Sequence, residues 1–163
     1  MKGKLIFVAA GLAVLLSVGF LYNKYRIAPQ IIFDELPLTT LQGVVLPKNY
    51  LHDKKVFLNL FATWCGPCVK ELPLLETAQQ KLQQDSVVFL LISDEPLNTL
   101  QHFSNTHNLP FTVLHSEKKF HDLKIETVPT SYLFNKKGEI IFRKVGVENW
   151  EADEVIQQLK NLD

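Results

Sequence analysis

The sequence is poor in the residue types that build sites by number. It holds two cysteines in 163 residues, Cys65 and Cys68. A small secreted scaffold stapled by disulfides needs several pairs, and structural zinc normally takes four protein ligands, so neither is available. The histidines (His52, His102, His107, His115 and His121) are scattered without ligand-like spacing, and no metal site is expected. An excess of charge is also missing: 17 basic and 17 acidic side chains cancel. No acid occurs in the first 26 residues, which carry Lys2, Lys4, Lys24 and Arg26, so residues 27–163 keep 13 basic against 17 acidic groups, a net of −4. A mildly acidic body offers no footprint for a phosphate backbone, and nucleic acid is not an expected partner. Internal repeats and low-complexity tracts are absent.

What is present begins with Leu5–Tyr22, LIFVAAGLAVLLSVGFLY, a run without a charge. As a helix it would be about 27 Å long, enough for the hydrocarbon core of a bilayer. A cleaved signal peptide and an uncleaved anchor compete here, with a buried soluble helix as the plainest alternative. Cleavage needs small residues after the apolar core, and Phe20-Leu21-Tyr22-Asn23-Lys24 is bulky, which favours the anchor. The flanking positive charges are nearly tied; the free amino terminus tips the balance toward an inside N-terminus and an outside domain. The expected organisation is an anchor over 1–26, a linker over 27–33 and one α/β domain over 34–163.

Within that domain, Phe33–Tyr50 contains short apolar pieces broken by Pro37, Gly43 and Pro47, which suggests a small hairpin or irregular strands. Val56–Phe61 and Val87–Ile92 are continuous apolar runs, the mark of strands covered on both faces. Between them Val69, Leu72, Leu75, Ala78 and Leu82 recur at helical spacing, with Pro73 expected to kink the helix. A second helix opens at Pro96, with Asp94 or Glu95 near its positive end. A strand over Phe111–Leu114, a short helix over Glu117–Leu123 and a hairpin of Ser131–Phe134 with Glu139–Val145 follow. A last helix over Trp150–Leu162 has acids in its first turn and Lys160 in its last. Early alternation implies parallel strands, and the hairpin adds antiparallel ones, giving a mixed central sheet flanked by helices.

The cysteines fall where the first of these strands turns into its helix. Cys65 therefore faces the unsatisfied N–H groups of the first helical turn, which stabilise a thiolate and lower the thiol's pKa. Cys68, one turn on, is close enough to bond Cys65 and is expected to be the more buried. The roles follow: Cys65 attacks and Cys68 resolves the mixed disulfide. Gly66 leaves room for a partner, and Pro67 suits an early helix position because its missing N–H would be an orphan anyway. Trp64 borders the nucleophile and is expected on the docking surface; Trp150 reads as packing and receives no role. Glu71, three residues after Cys68, shares its helix face, where a carboxylate could take the buried thiol's proton. A solvated helix glutamate is the alternative.

The run Phe57-Leu58-Asn59-Leu60-Phe61-Ala62-Thr63-Trp64-Cys65-Gly66-Pro67-Cys68, with Pro73 and Val128-Pro129-Thr130, resembles the thioredoxin superfamily and its membrane-tethered TlpA/ResA-like branch over roughly 34–163. The resemblance implies a thioredoxin-like fold and a cis Pro129 beside the disulfide. It also implies that Val128 pairs with a substrate chain in strand fashion, with Thr130 beside it. An acid at the position of Glu71 tunes the cysteines in that branch. Thioredoxin itself carries an aspartate six residues before its first cysteine, where this chain has Asn59, and that departure favours the tethered branch.

The expected activity is that of a protein disulfide oxidoreductase needing no cofactor beyond its own Cys65–Cys68 pair. The resemblance implies the reducing direction, with apocytochrome c as a typical partner and a membrane thiol reductase as electron donor. It places the protein in the bacterial inner membrane, held by residues 5–22, with its catalytic domain on the periplasmic side. An envelope disulfide oxidant or isomerase, and a copper carrier using the two thiolates, are the alternatives.

Overall fold

The structure, a computed structural model, describes residues 2–26, 28–50 and 52–162, with the side chains of 2–6, 8–9 and 22–26 outside that description. Its elements are α1 (Lys2–Arg26), β1 (Leu38–Thr40), β2 (Lys55–Leu60), α2 (Gly66–Lys81), β3 (Val87–Ser93), α3 (Leu97–His107), β4 (Thr112–Ser116), β5 (Thr130–Phe134), β6 (Ile140–Val145) and α4 (Asp153–Asn161). Among the described residues no helix is long and apolar enough to cross a membrane. Of the anchor expected over 1–26, residue 1 and the side chains of 2–6, 8–9 and 22–26 lie outside the description.

The six strands form one sheet in the order β1-β4-β3-β2-β5-β6. β2 pairs in parallel with β3, and β3 with β4, while β5 and β6 run antiparallel. Both crossovers step the same way across the sheet, so right-handed connections put α2 and α3 on one face. Every residue of β2 is buried, which is what its unbroken apolar run requires of a central strand. Side-chain alternation then splits the core. Phe57, Phe61, Phe89 and Leu91 meet Leu72, Leu75, Leu100, Phe103, Ile156 and Leu159 from the three helices. Val56, Leu58, Leu60, Leu90 and Ile92 face the other way.

That second face takes in residues of the segment expected as a linker over 27–33. Ala28, Ile31 and Phe33 are buried against it, joined by Phe120 and Ile125 from a short helical turn and the residue pair after it. Arg143 Nη1 donates to the Ala28 carbonyl at 2.9 Å, and the Tyr132 hydroxyl to the Pro29 carbonyl at 3.1 Å. Among the described residues this cluster holds none from α2, α3 or α4, and the segment after α1 helps to close the core there. The expected N-terminal hairpin is likewise reduced to a single bridge between Thr39 and Val45, and β1 instead pairs with β4 at the sheet edge. Pro73 sits inside a continuous α2.

Candidate active site

Cys65 is the N-cap residue of α2, with extended backbone, and its Sγ accepts the Cys68 N–H at 3.2 Å. A sulfur thus does what a serine or aspartate oxygen does at most helix starts, and the N–H that it accepts belongs to the positive end of the helix. In the thiolate form that contact becomes charge-assisted, which stabilises the attacking species. Cys65 and Cys68 are joined as a disulfide. The nucleophile is less open than the sequence reading expects: Cys65 is 5% exposed and Cys68 1%. Cys65 belongs to the main core cluster, and the Val128 carbonyl oxygen lies 3.7 Å from its sulfur.

Near Cys65 in the chain stand Trp64, 76% exposed, and the exposed Gly66 and Pro67. The Val128–Pro129 peptide is cis, with Val128 half-buried and Pro129 buried. The Gly146 N–H donates to the Pro129 carbonyl at 2.8 Å, and Gly146 has φ +84°, a conformation that only glycine adopts without strain. Thr130, expected beside the substrate strand, is brought to this loop with its side chain turned inward. It is 1% exposed, and its hydroxyl donates to the Thr127 carbonyl at 2.7 Å, bracing the turn from behind.

Glu71 is 1% exposed, so the solvated alternative does not hold. Burial pushes its carboxyl up to about 7, and hydrogen bonds from Asn59, Trp150 and the Glu148 backbone pull in the opposite direction. The Asn59 Nδ2 reaches Oε1 at 2.8 Å and also donates to Ser131 Oγ at 3.0 Å; Trp150 Nε1 reaches Oε2 at 3.2 Å. Trp150, given no role from the sequence, is fully buried. A carboxyl that titrates near neutrality one helical turn from Cys68 is suited to exchange a proton with it.

Sequence reasoning also missed Glu95. Its carboxyl accepts from the Thr63 N–H at 2.6 Å, the Thr63 hydroxyl at 2.8 Å and the Ser93 hydroxyl at 3.1 Å, rather than serving the positive end of α3. Glu95 therefore fixes the loop that presents Trp64. Glu95→Ala will leave the Thr63 N–H without its partner and cost about 2 kcal/mol in chemical denaturation. The same variant will raise KM for a protein disulfide substrate several-fold more than it lowers kcat; an unchanged KM counts against this role.

Trp64 and Gly66 flank Cys65 in the chain and Val128 stands beside its sulfur. A pocket of ≈ 520 Å³ lies elsewhere, among Phe33, Leu36, Leu38, Val45, Leu46 and Lys118. Among the described residues no group of three or more His, Cys, Asp or Glu side chains is placed to hold a metal ion.

Residues 28–159 match the Redoxin family model. The thiol-disulfide oxidoreductase ResA of Bacillus thuringiensis (strain Al Hakam) is 29% identical over 153 residues, covering 90% of this chain and 87% of the relative. The thioredoxin-like protein YneN of Bacillus subtilis (strain 168) is 30% identical over 147 residues, covering 80% and 85%. The crystal structure of StoA from Bacillus subtilis superposes with a TM-score of 0.57 at 26% identity, covering 77% of this chain and 96% of that one. With a capped, disulfide-bonded cysteine pair beside a cis proline and relatives so named over most of its length, this chain belongs to the redoxin family, has the thioredoxin-like fold and is a thiol–disulfide oxidoreductase.

Proposed function

We propose that the protein reduces protein disulfides outside the cytoplasm of a bacterium, working from the periplasmic side of the inner membrane with the Cys65–Cys68 pair as its only redox group. The observation that carries the chemistry is the Cys65 sulfur on the α2 N-terminus with Glu71 buried on the same helix face as Cys68. In the reduced protein the Cys65 thiolate attacks a substrate disulfide, forming a Cys65–substrate bond and releasing one substrate thiolate. Glu71 accepts the Cys68 proton, and the Cys68 thiolate displaces the second substrate sulfur from Cys65. Two electrons pass to the substrate, and the enzyme is left as the disulfide. A membrane thiol reductase is the proposed source of the electrons that restore it, and the haem-site cysteines of apocytochrome c are the proposed substrate, as the TlpA/ResA resemblance implies. Glu71 serves the cysteines, while Trp64, Gly66, Pro67 and Val128 receive the substrate chain.

The proposed tether is residues 5–22. Phe7, Leu12, Val14, Leu15, Leu16, Val18, Phe20 and Leu21 on α1 are all exposed, and their positions point in every direction around a helix axis. A helix apolar on all sides has no solvated face, and that pattern suits lipid. Two measurements on the full chain test this reading. Alkaline extraction of membranes will leave the protein in the pellet; release into the supernatant removes the tether from the account. Its reduction potential will lie near thioredoxin's, roughly −270 mV, and a value near roughly −120 mV reassigns it as an oxidant.

A further inference from the structure

Glu71 is held by three donors, the Asn59 amide, the Trp150 indole and the Glu148 backbone N–H, and the two side chains among them differ in kind. Asn59 carries both N–H and C=O, and its buried Oδ1 has no hydrogen-bond partner among the described residues. A rotation of the amide would present that oxygen to a protonated Glu71, so Asn59 can serve either form of the carboxyl. The Trp150 indole can only donate. Its ring is locked edge-on between Phe57, at 4.9 Å and 80°, and Phe142, at 6.2 Å and 78°, which fixes where the N–H points. Trp150 therefore favours one form of Glu71, the ionised one, under all conditions.

The remaining neighbours do not supply that preference by charge. α2 carries Cys68, Lys70, Glu76 and Lys81 besides Glu71, with Cys65 as its N-cap, and what acts on Glu71 is burial and three hydrogen bonds rather than any of these charges. β2 contributes the Asn59 amide and β5 the Ser131 hydroxyl, neither of them charged. From the segment between β6 and α4 come the Trp150 indole and the Glu148 backbone, and the Glu148 carboxylate is itself paired with Lys144. We propose that Trp150 is a positioning residue of the exchange reaction: its indole N–H holds Glu71 in the orientation and ionised form that take the Cys68 proton, and so sets the pH range in which Cys68 resolves a mixed disulfide. The inference rests on the reading of Glu71 as the proton acceptor for Cys68.

Tryptophan-labelled full chain in detergent micelles tests it without altering the protein. The sequence has two tryptophans, so two indole N–H resonances are expected, and Trp150→Phe assigns them. The Trp150 resonance will move with pH along the Glu71 titration and will stop moving in Glu71→Gln. Kinetics supply the second readout. Cys65 of the reduced chain is loaded with 5-thio-2-nitrobenzoate. Cys68 attack then forms the Cys65–Cys68 bond and expels the coloured thiolate, whose appearance gives the resolution rate. Trp150→Phe will shift the pH midpoint of that rate upward by about one unit, close to a tenfold loss below the midpoint. In the Glu71→Gln background the same substitution will add no further shift. If Glu71→Gln changes the profile while the Trp150 indole stays still across the titration, or Trp150→Phe leaves the midpoint in place, the role of Trp150 is overturned and that of Glu71 stands. If Glu71→Gln leaves the profile as it was, both fall. Should Trp150→Phe not fold, the indole titration of the unaltered chain decides.

Discussion

Cys65→Ser will lower disulfide exchange by about a thousandfold or more, because it removes the sulfur that must attack. Cys68→Ser will instead accumulate the protein covalently attached to its substrate. The asymmetry follows from position. The Cys65 sulfur caps α2, where the Cys68 N–H stabilises its negative charge, and it lies next to exposed Trp64 in the chain and beside the Val128 carbonyl. Cys68 lies one turn further in, 1% exposed, where it can reach Cys65 but no outside partner. Without Cys68 a mixed disulfide has no internal thiolate to release it. Non-reducing electrophoresis of cells carrying each variant, with mass spectrometry of the adducts, checks the expectation and identifies the partner. Equal trapping by the two variants would reverse or abolish the assignment of roles.

The oxidised protein will lose about 3 kcal/mol of stability between pH 4.5 and 7 through Glu71 alone. The sign follows from proton counting. Burial raises the folded-state value from 4.5 to about 7, so below 4.5 both states carry the proton and the contribution is fully present. As pH rises from 4.5 the unfolded chain ionises first, which favours unfolding, and the loss is complete once the folded carboxyl has ionised. Glu148 acts in the opposite sense on the acid side. The hydrogen bond from Lys144 holds it below its usual value, so its stabilisation is lost as pH falls. Urea unfolding of wild type and Glu71→Gln at pH 5 and pH 8 separates the two, since the Glu148 contribution cancels in the difference. The gap between the proteins will change in favour of Glu71→Gln at the higher pH, and a gap independent of pH would contradict a buried, upward-shifted carboxyl.

The parts of this fold that could be read in the sequence are those whose signal is local. The apolar run of β2, the helical spacing along α2 and the cysteines at their junction are neighbours in the chain. The turn at Asn135–Gly138 and the charge order along α4 are equally compact signals. What escaped depends on partners far apart. Trp150 and Glu71 are separated by 79 positions, and Glu95 and Thr63 by 32, with no periodicity to link them. Ala28, Ile31 and Phe33 looked like linker because so short a segment has no pattern of its own. Only the second sheet face, against which they are buried, shows what they are for. Glu71 is intermediate: its spacing from Cys68 placed it on the same side of α2, but its burial and its bond to Trp150 involve residues far away in the chain.

Holding Cys65 5% exposed beside the Val128 backbone has a consequence for the proposed reaction. A folded surface would have to yield a loop to bring its own sulfur within bonding distance, whereas along an extended strand every second side chain projects clear of its neighbours. On the proposed function, a chain still awaiting its final shape would be the preferred partner.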